Sequence, residues 1–294
     1  MRNNLIIPIA LLIAWIGLGY FLKSKNCPCD APEMNINKAP VPTTAAFKIK
    51  DGEAFSSFVS NHNLVFDQSG YEHRSPLSED VNSVIAQTAD YLKNHPERAM
   101  VITGLYGENE KNTGALANLG LARANDVKNL FTGLGVPASQ LTEDAIMEPK
   151  LAYPGDSLVG GVTFSFSELA NSSNKLEDIE KKLRANPFVI YFGNNQKTLD
   201  LTDEQRQNFS DLIYYLDHKT GATAKAVGHT DNQGGEEINI YLSRKRAEFI
   251  RDYLAKNGVN AAQVKTDSKG PTQPIAPNNT QAGRAKNRRV EITI

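Results

Sequence analysis

The sequence predicts an α+β chain of two tandem domains, each a mixed sheet covered by helices, set behind an N-terminal transmembrane helix. Three observations predict it. They are an uncharged apolar run near the start, a long stretch that repeats itself at a near-constant offset, and short apolar strands alternating with amphipathic helices inside each repeat. At 294 residues the chain has room for two cores of ordinary domain size. Basic and acidic residues balance at 32 against 33, so no global field draws in nucleic acid or an anionic membrane surface. Charge recognition has to be local.

The first element is "LIIPIALLIAWIGLGYFL", residues 5–22, which carries no charge. As a helix it spans roughly 27 Å at about 1.5 Å per residue, close to the hydrocarbon thickness of a bilayer. "GYFLKSKN" follows with no small-residue cleavage site, so residues 1–25 are expected to remain as an uncleaved anchor in a membrane. Arg2 and the terminal amine oppose Lys23 and Lys25, and basic flanks therefore do not set its orientation. Residues 26–50 are expected to be a tether. Four prolines within 26–44 and no apolar periodicity make it an extended spacer of up to about 60 Å. The two cysteines, Cys27 and Cys29, lack zinc-site spacing; they are a lightly used pair or, in an oxidising compartment, a crosslink between copies.

Beyond the tether the sequence occurs twice, over 51–167 and 175–294. "VITGLYG" (101–107) matches "KAVGHTD" (225–231), and "LGLARANDVKNLFTGLGV" (119–136) matches "LSRKRAEFIRDYLAKNGV" (242–259). An offset near 124 residues indicates a duplicated domain and not a solenoid of short repeats. Each copy opens with a short strand (64–66; 188–192). An amphipathic helix follows, with Phe209, Leu212, Ile213 and Leu216 behind a Thr202 to Gln205 capping box in one copy, and Val81, Val84, Ile85 and Leu92 behind Ser78 in the other. A second strand leads through a Gly-containing loop to a long helix, whose buried stripe reads Val127, Phe131, Leu134 or Ile250, Leu254. Gly135 and Gly258 stand where left-handed caps would end those helices. "GVTFSF" and "RVEITI" supply terminal strands, and the polar residues 168–174 join the copies.

The chemistry concentrates in the second copy. Asp231 lies in a loop with Gly234 and Gly235, Asn239 stands near the start of the following helix, and Arg246 comes about two turns later. Arg288 and Arg289 alternate faces as the last strand begins. A carboxylate and one or two guanidiniums converging from a loop, a helix and a strand would receive a zwitterion. The acid takes an ammonium and an arginine fork takes a carboxylate, which describes a free amino-acid head group. Equally, Asp231 and Arg246 could pair with each other in a solvated surface network.

"GHTDNQG", Asn239, "LSRKRA", "PIAPNNT" and "GRAKNRRVEI" occur in this order within 185–294, and together they resemble the C-terminal peptidoglycan-binding domain of the OmpA-like family. The resemblance implies a βαβαβαβ two-layer domain that holds the peptide stem of peptidoglycan noncovalently through meso-diaminopimelate. By motif position it implies Asp231 as the ligand aspartate and Arg246 as the ligand arginine. Supporting contacts fall on Asn239, Leu242 and Arg289, with Thr230 close by. The first copy departs from the pattern. Gly107 stands at the position of Asp231, Leu116 at that of Asn239, and Gly160 and Gly161 at those of the paired arginines, so that only Arg123 remains. That copy is expected not to bind the stem, and to act as a spacer or as a docking surface for another envelope protein.

Other chemistries find little support. The five histidines show no ligand spacing, "DNQGG" lacks the Lys-Ser/Thr of a phosphate loop and the order of an EF-hand, and no nucleophile elbow occurs. No metal, cofactor or catalytic role is expected. An ion-conducting stator needs an ionisable residue within its membrane helix, and 5–22 has none. The expected function is to tether the inner membrane, spanned once by 5–22, to a wall bound by periplasmic C-terminal domains. The alternative is a wall-anchoring subunit of a motor, stator or secretion complex.

Overall fold

The computed structural model describes residues 46–52, 55–169, 173–185, 187–193, 199 and 201–294. The expected anchor and nearly all of the tether lie outside them. No helix among the described residues is long and apolar enough to cross a membrane.

The described structure extends into the segment expected to be the tether. Phe47 and Ile49 are buried in the first core, and β1 (Lys48–Asp51) pairs antiparallel with β2 (Phe55–Val59). Alternation in "FKIK" puts the aromatic and the isoleucine on one face, a strand signal too short to stand out beside the prolines. The chain continues through β3 (Val65–Asp67), α1 (Glu79–Asn94), β4 (Arg98–Tyr106), α2 (Leu119–Gly133), β5 (Leu141–Met147), β6 (Ser157–Val159) and β7 (Val162–Glu168). The C-terminal half comprises α3 (Ser173–Ala185), β8 (Phe188–Tyr191), α4 (Asp203–His218), β9 (Ala224–His229), α5 (Glu236–Lys256), β10 (Val264–Gly270), α6 (Gln281–Asn287) and β11 (Arg289–Thr293).

In the C-terminal half the strand order is β10-β9-β11-β8, with β9 and β10 parallel and β11 antiparallel to both of its neighbours. In the N-terminal half the order is β5-β4-β7, again with one parallel and one antiparallel pair, while β6 pairs with β3. Gly160 and Gly161, at φ +85° and +78°, separate β6 from β7. Those values belong to the left-handed region that glycine enters without penalty. In the C-terminal half the corresponding strand, β11, begins at Arg289, directly after α6 and its C-cap Arg288.

Helix packing follows the amphipathic pattern. Val81, Val84, Ile85 and Leu92 of α1 are buried, as are Phe209, Leu212, Ile213 and Leu216 of α4. The Thr202 to Gln205 capping box is formed on both sides. Gly135 and Gly258 adopt φ of +86° and +94° past the ends of α2 and α5. Leu134 departs from the expected stripe, being 44% exposed at the C-cap of α2. Two helices were not foreseen. The joining segment is helical from Ser173 because Leu176, Ile179 and Leu183 recur at helical spacing and pack on the C-terminal core. The short α6 is capped by the Thr280 side chain. At one crossing in each half the helix lies directly on the sheet. A Cβ on Gly228 would run into the Ser243 carbonyl of α5, and one on Gly104 into the Gly120 carbonyl of α2.

The two halves pack against each other. Ala115, Leu116 and Ala122 belong to the core built around α4 and α5. The Ala117 amide donates to Ser210 Oγ at 3.1 Å, Arg206 donates to the Gly114 carbonyl, and Asn125 Nδ2 donates to the Asn257 carbonyl at 2.9 Å. Lys128 is buried between Glu143 of its own half and Asp217 of the other. Burial pulls the Lys128 pKa down, but the two carboxylates outweigh it and hold it above the usual lysine value. Lys128→Ala leaves two carboxylates facing each other, and should cost about 3–5 kcal/mol as for other broken buried pairs, read as a lower midpoint in urea unfolding.

Candidate functional site

The β9–α5 turn, the end of β8, the N-terminal half of α5, α6 and the start of β11 enclose a cleft of about 890 Å³, within the size range of small-molecule sites. Thr230, Asp231, Asn239, Leu242 and Arg246 all line it. Local rules place each of them. Gly228 lets α5 lie close enough for Arg246 to reach back over the end of β9, where Arg246 Nη1 donates to the His229 carbonyl at 3.0 Å. Asp231 caps its own turn, accepting the Gln233 amide at 3.1 Å. Asn239, in the first turn of α5, is buried.

Asp231 and Arg246 do not neutralise each other. The Asp231 carboxylate pairs with Arg288 Nη1 at 2.7 Å. Arg246 has no carboxylate partner among the described residues; its guanidinium lies 5.6 Å from the centre of the Phe192 ring. Burial, and then the neighbouring Arg288 charge, pull the Arg246 pKa below its ordinary value, with Asp231 opposing. Among the described residues, four cations, Lys245, Arg246, Arg284 and Arg288, line the cleft together with the carboxylate of Asp231; Lys245 is paired with Glu248 at 2.7 Å. Thr230 Oγ1 is buried at its edge without a hydrogen bond to any described group.

Arg289 is not brought into the cleft. It is 2% exposed, pairs with Glu291 at 2.6 Å and donates to the Gln273 carbonyl at 3.2 Å. Arg288, the C-cap residue of α6 immediately before β11, is the arginine of the pair that lines the cleft. Arg284, Phe192 and Phe249 are further lining residues that sequence reasoning did not single out. The signal for Arg284 was available in "GR", four residues before Arg288 and so on the same face of a helical turn. Asn287 is structural. Its side chain accepts the Ile275 and Ala276 amides and donates to the Ala276 carbonyl and Asn278 Oδ1, pinning the loop beside the cleft. His229 is buried beneath the loop, its pKa lowered by burial and by Arg289, and is therefore neutral.

The N-terminal half supplies an internal comparison. Arg123 Nη1 donates to the Leu105 carbonyl at 2.7 Å, as Arg246 does to His229. Here, however, Glu110 completes the guanidinium. Its oxygens lie 2.5 and 3.0 Å from Nη2 and Nη1, and they also accept the Gly107 amide at 2.8 Å and the Ser69 amide at 2.9 Å. Arg123 is 0% exposed. Tyr153 fills the space beside Gly107, where a Cβ would meet its hydroxyl, and burial together with Glu110 pushes that hydroxyl up to about 12. The cleft is thus plugged from within. The following segment, which corresponds to the mouth of the C-terminal cleft, is covered through Ala115, Leu116 and Ala117 by the core and Ser210 of the C-terminal half.

The OmpA family model matches residues 191–288. The chain is 34% identical over 130 residues to the peptidoglycan-associated lipoprotein of Buchnera aphidicola, covering 44% of this chain and 73% of that protein. It is 52% identical over 67 residues to the peptidoglycan-binding protein ArfA of Mycobacterium bovis, covering 23% of this chain and 21% of that one. The solved peptidoglycan-associated lipoprotein of Burkholderia pseudomallei is 29% identical with a TM-score of 0.33, over 37% of this chain and 90% of that one.

Burial alone would raise the Glu110 pKa, but the bonds from Arg123 and from the Gly107 and Ser69 amides outweigh it and leave the carboxyl below its usual value. A depressed pKa contributes stability that is present above the unfolded value, about 4.3, and is lost as pH falls through the folded one. Glu110→Gln should cost about 3–5 kcal/mol at neutral pH. It should also flatten the loss of stability on acidification, as measured by denaturant unfolding at pH 7 and in acid.

Proposed function

The chain belongs to the OmpA family, and on that footing we propose that its C-terminal half binds peptidoglycan noncovalently through the meso-diaminopimelate of the stem peptide. The observation that carries this reading is the contrast between Arg246 and Arg123. Both guanidiniums are held by a strand-end carbonyl, yet Arg123 is completed by an internal carboxylate and Arg246 faces a cleft. A half-buried guanidinium beside a second arginine is a site for an anion. The outward edge of Arg246 takes the carboxylate of the amino-acid head, in the position that Glu110 holds in the other half. Asp231 takes the ammonium on the lone pairs left by Arg288 and Gln233.

The remaining lining suits the rest of such a ligand. Phe192, Leu242 and Phe249 offer apolar surface to a methylene chain, and Thr230 Oγ1 and the Asn239 side chain offer hydrogen bonds. Arg246 and Arg284, which pair with no carboxylate among the described residues, favour a ligand with more than one carboxylate, as a stem peptide has. Arg288 takes the place that the resemblance gave to Arg289.

We read 51–167 as a degenerate copy of the same domain and 175–294 as the binding copy, a reading supported by the matching strand order and by the two helix–sheet crossings at Gly104 and Gly228. With 5–22 as a single membrane pass, the protein would tether the inner membrane to the wall from the periplasmic side, without catalysis. A wall offers many stems and a membrane many copies, so modest single-site affinity is multiplied by avidity.

Asp231→Ala or Arg246→Ala should each weaken binding by about 1.5–3 kcal/mol, the size of a charge-assisted contact, or roughly 10- to 150-fold. Sedimentation with purified sacculi measures it. Retention of both variants at wild-type levels would contradict the assigned site.

A further inference from the structure

Beside the cleft, the N-terminal half of α5 carries apolar side chains that are largely exposed among the described residues, with the Lys245 ammonium 5.8 Å from the centre of the Tyr241 ring. Ile238, Tyr241 and Leu242 are 61%, 56% and 41% exposed. Their spacing of three and four puts them on one face of the helix, with Lys245 a further turn along. Leu242 and Lys245 also line the cleft, so this apolar shelf is continuous with its wall. Next to it lies a shallow depression formed by Glu236, Glu237, Ile240, Tyr241 and Arg244. Contiguous apolar surface on a soluble face marks a contact site. The N-terminal half agrees, because the positions 123 residues earlier, Ala115 and Leu119, are 0% and 1% exposed, and Ala115 is packed into the C-terminal core.

Resting on the reading of the cleft given above, we propose that this shelf seats the sugar chain from which the bound stem hangs, Tyr241 and Ile238 lying against the apolar face of a sugar ring. The geometry fits. Ile238 stands about 6 Å along the helix axis from Leu242 at about 1.5 Å per residue, so the shelf leads directly away from the cleft wall, within the reach of a short extended peptide at about 3.3–3.6 Å per residue. The chemistry fits as well. Glu236 and Glu237 would repel a further acidic peptide, whereas neutral sugar hydroxyls donate to carboxylates and N-acetyl carbonyls accept from Arg244. A protein docked on the same shelf would rest on Leu242 and Lys245 and close the mouth of the cleft.

The test compares two probes on the full-length protein in detergent micelles: a disaccharide-tripeptide containing diaminopimelate, and the same tripeptide without sugars. Wild-type protein should bind the sugar-bearing probe about tenfold more tightly, the scale of one well-placed aromatic contact. The Ile238→Ala, Tyr241→Ala double variant should lose that difference while keeping its affinity for the tripeptide. Equal affinity of wild type for both probes overturns the shelf alone. So does an unchanged preference in the double variant, which would leave the shelf as bare or protein-docking surface, or an equal loss for both probes, which would place the shelf against the peptide. If wild type binds neither probe, the reading of the cleft falls and the shelf with it.

Discussion

A guanidinium that has left bulk water requires a counter-charge, and no carboxylate among the described residues pairs with that of Arg246. Its Nη1 is fixed on the His229 carbonyl, its charge is crowded by Arg288, and the open edge faces the cleft. The equivalent guanidinium of Arg123 is matched by the two oxygens of Glu110. The two halves of one chain therefore present the same arginine in a satisfied and an unsatisfied state. The rest of the site follows from that difference. Asp231 stays available because Arg288 pairs with only one of its oxygens, and Gly228 keeps α5 near enough to the sheet for Arg246 to span the gap.

In the N-terminal half the space beside Arg123 is filled by the protein itself. Tyr153 and Glu110 lie beside Arg123 and Gly107, Gly160 and Gly161 stand between β6 and β7 without side chains, and the segment through Leu116 is buried against the C-terminal half. With Lys128 clasped between Glu143 and Asp217, one half buttresses the other. The arrangement holds α4 and the core beneath the cleft on a support that does not depend on ligand.

Much of this was legible in the sequence where a residue type has one physical use. The helical stripe of α4 behind its capping box, the glycines past α2 and α5, and the convergence of Asp231, Asn239 and Arg246 all follow from spacing. Less was legible where the answer depends on tertiary context. Period-two alternation says that Arg288 and Arg289 face opposite ways but not which of them faces the cleft, and in the structure β11 begins only at Arg289, with Arg288 the C-cap of α6. Glu110 as a built-in counter-ion could not be read at all, because it lies 13 residues from Arg123 in a loop with no periodicity. The burial of Phe47 within the expected tether was hidden by the prolines before it, and α3 by the polar residues that open it.

The most direct test removes one kind of charge at a time from the ligand and not from the protein. Calorimetric titration of the protein with meso-diaminopimelate, with pimelate, which lacks both ammonium groups, and with lysine, which keeps one amino-acid head but lacks the second carboxylate, separates recognition of the ammonium at Asp231 from recognition of a second carboxylate by the cleft's other cations. The account predicts that meso-diaminopimelate binds measurably more tightly than either truncated ligand. Equal affinity for pimelate would mean that Asp231 grips no ammonium, and equal affinity for lysine that the cleft engages no second carboxylate; either result would contradict it.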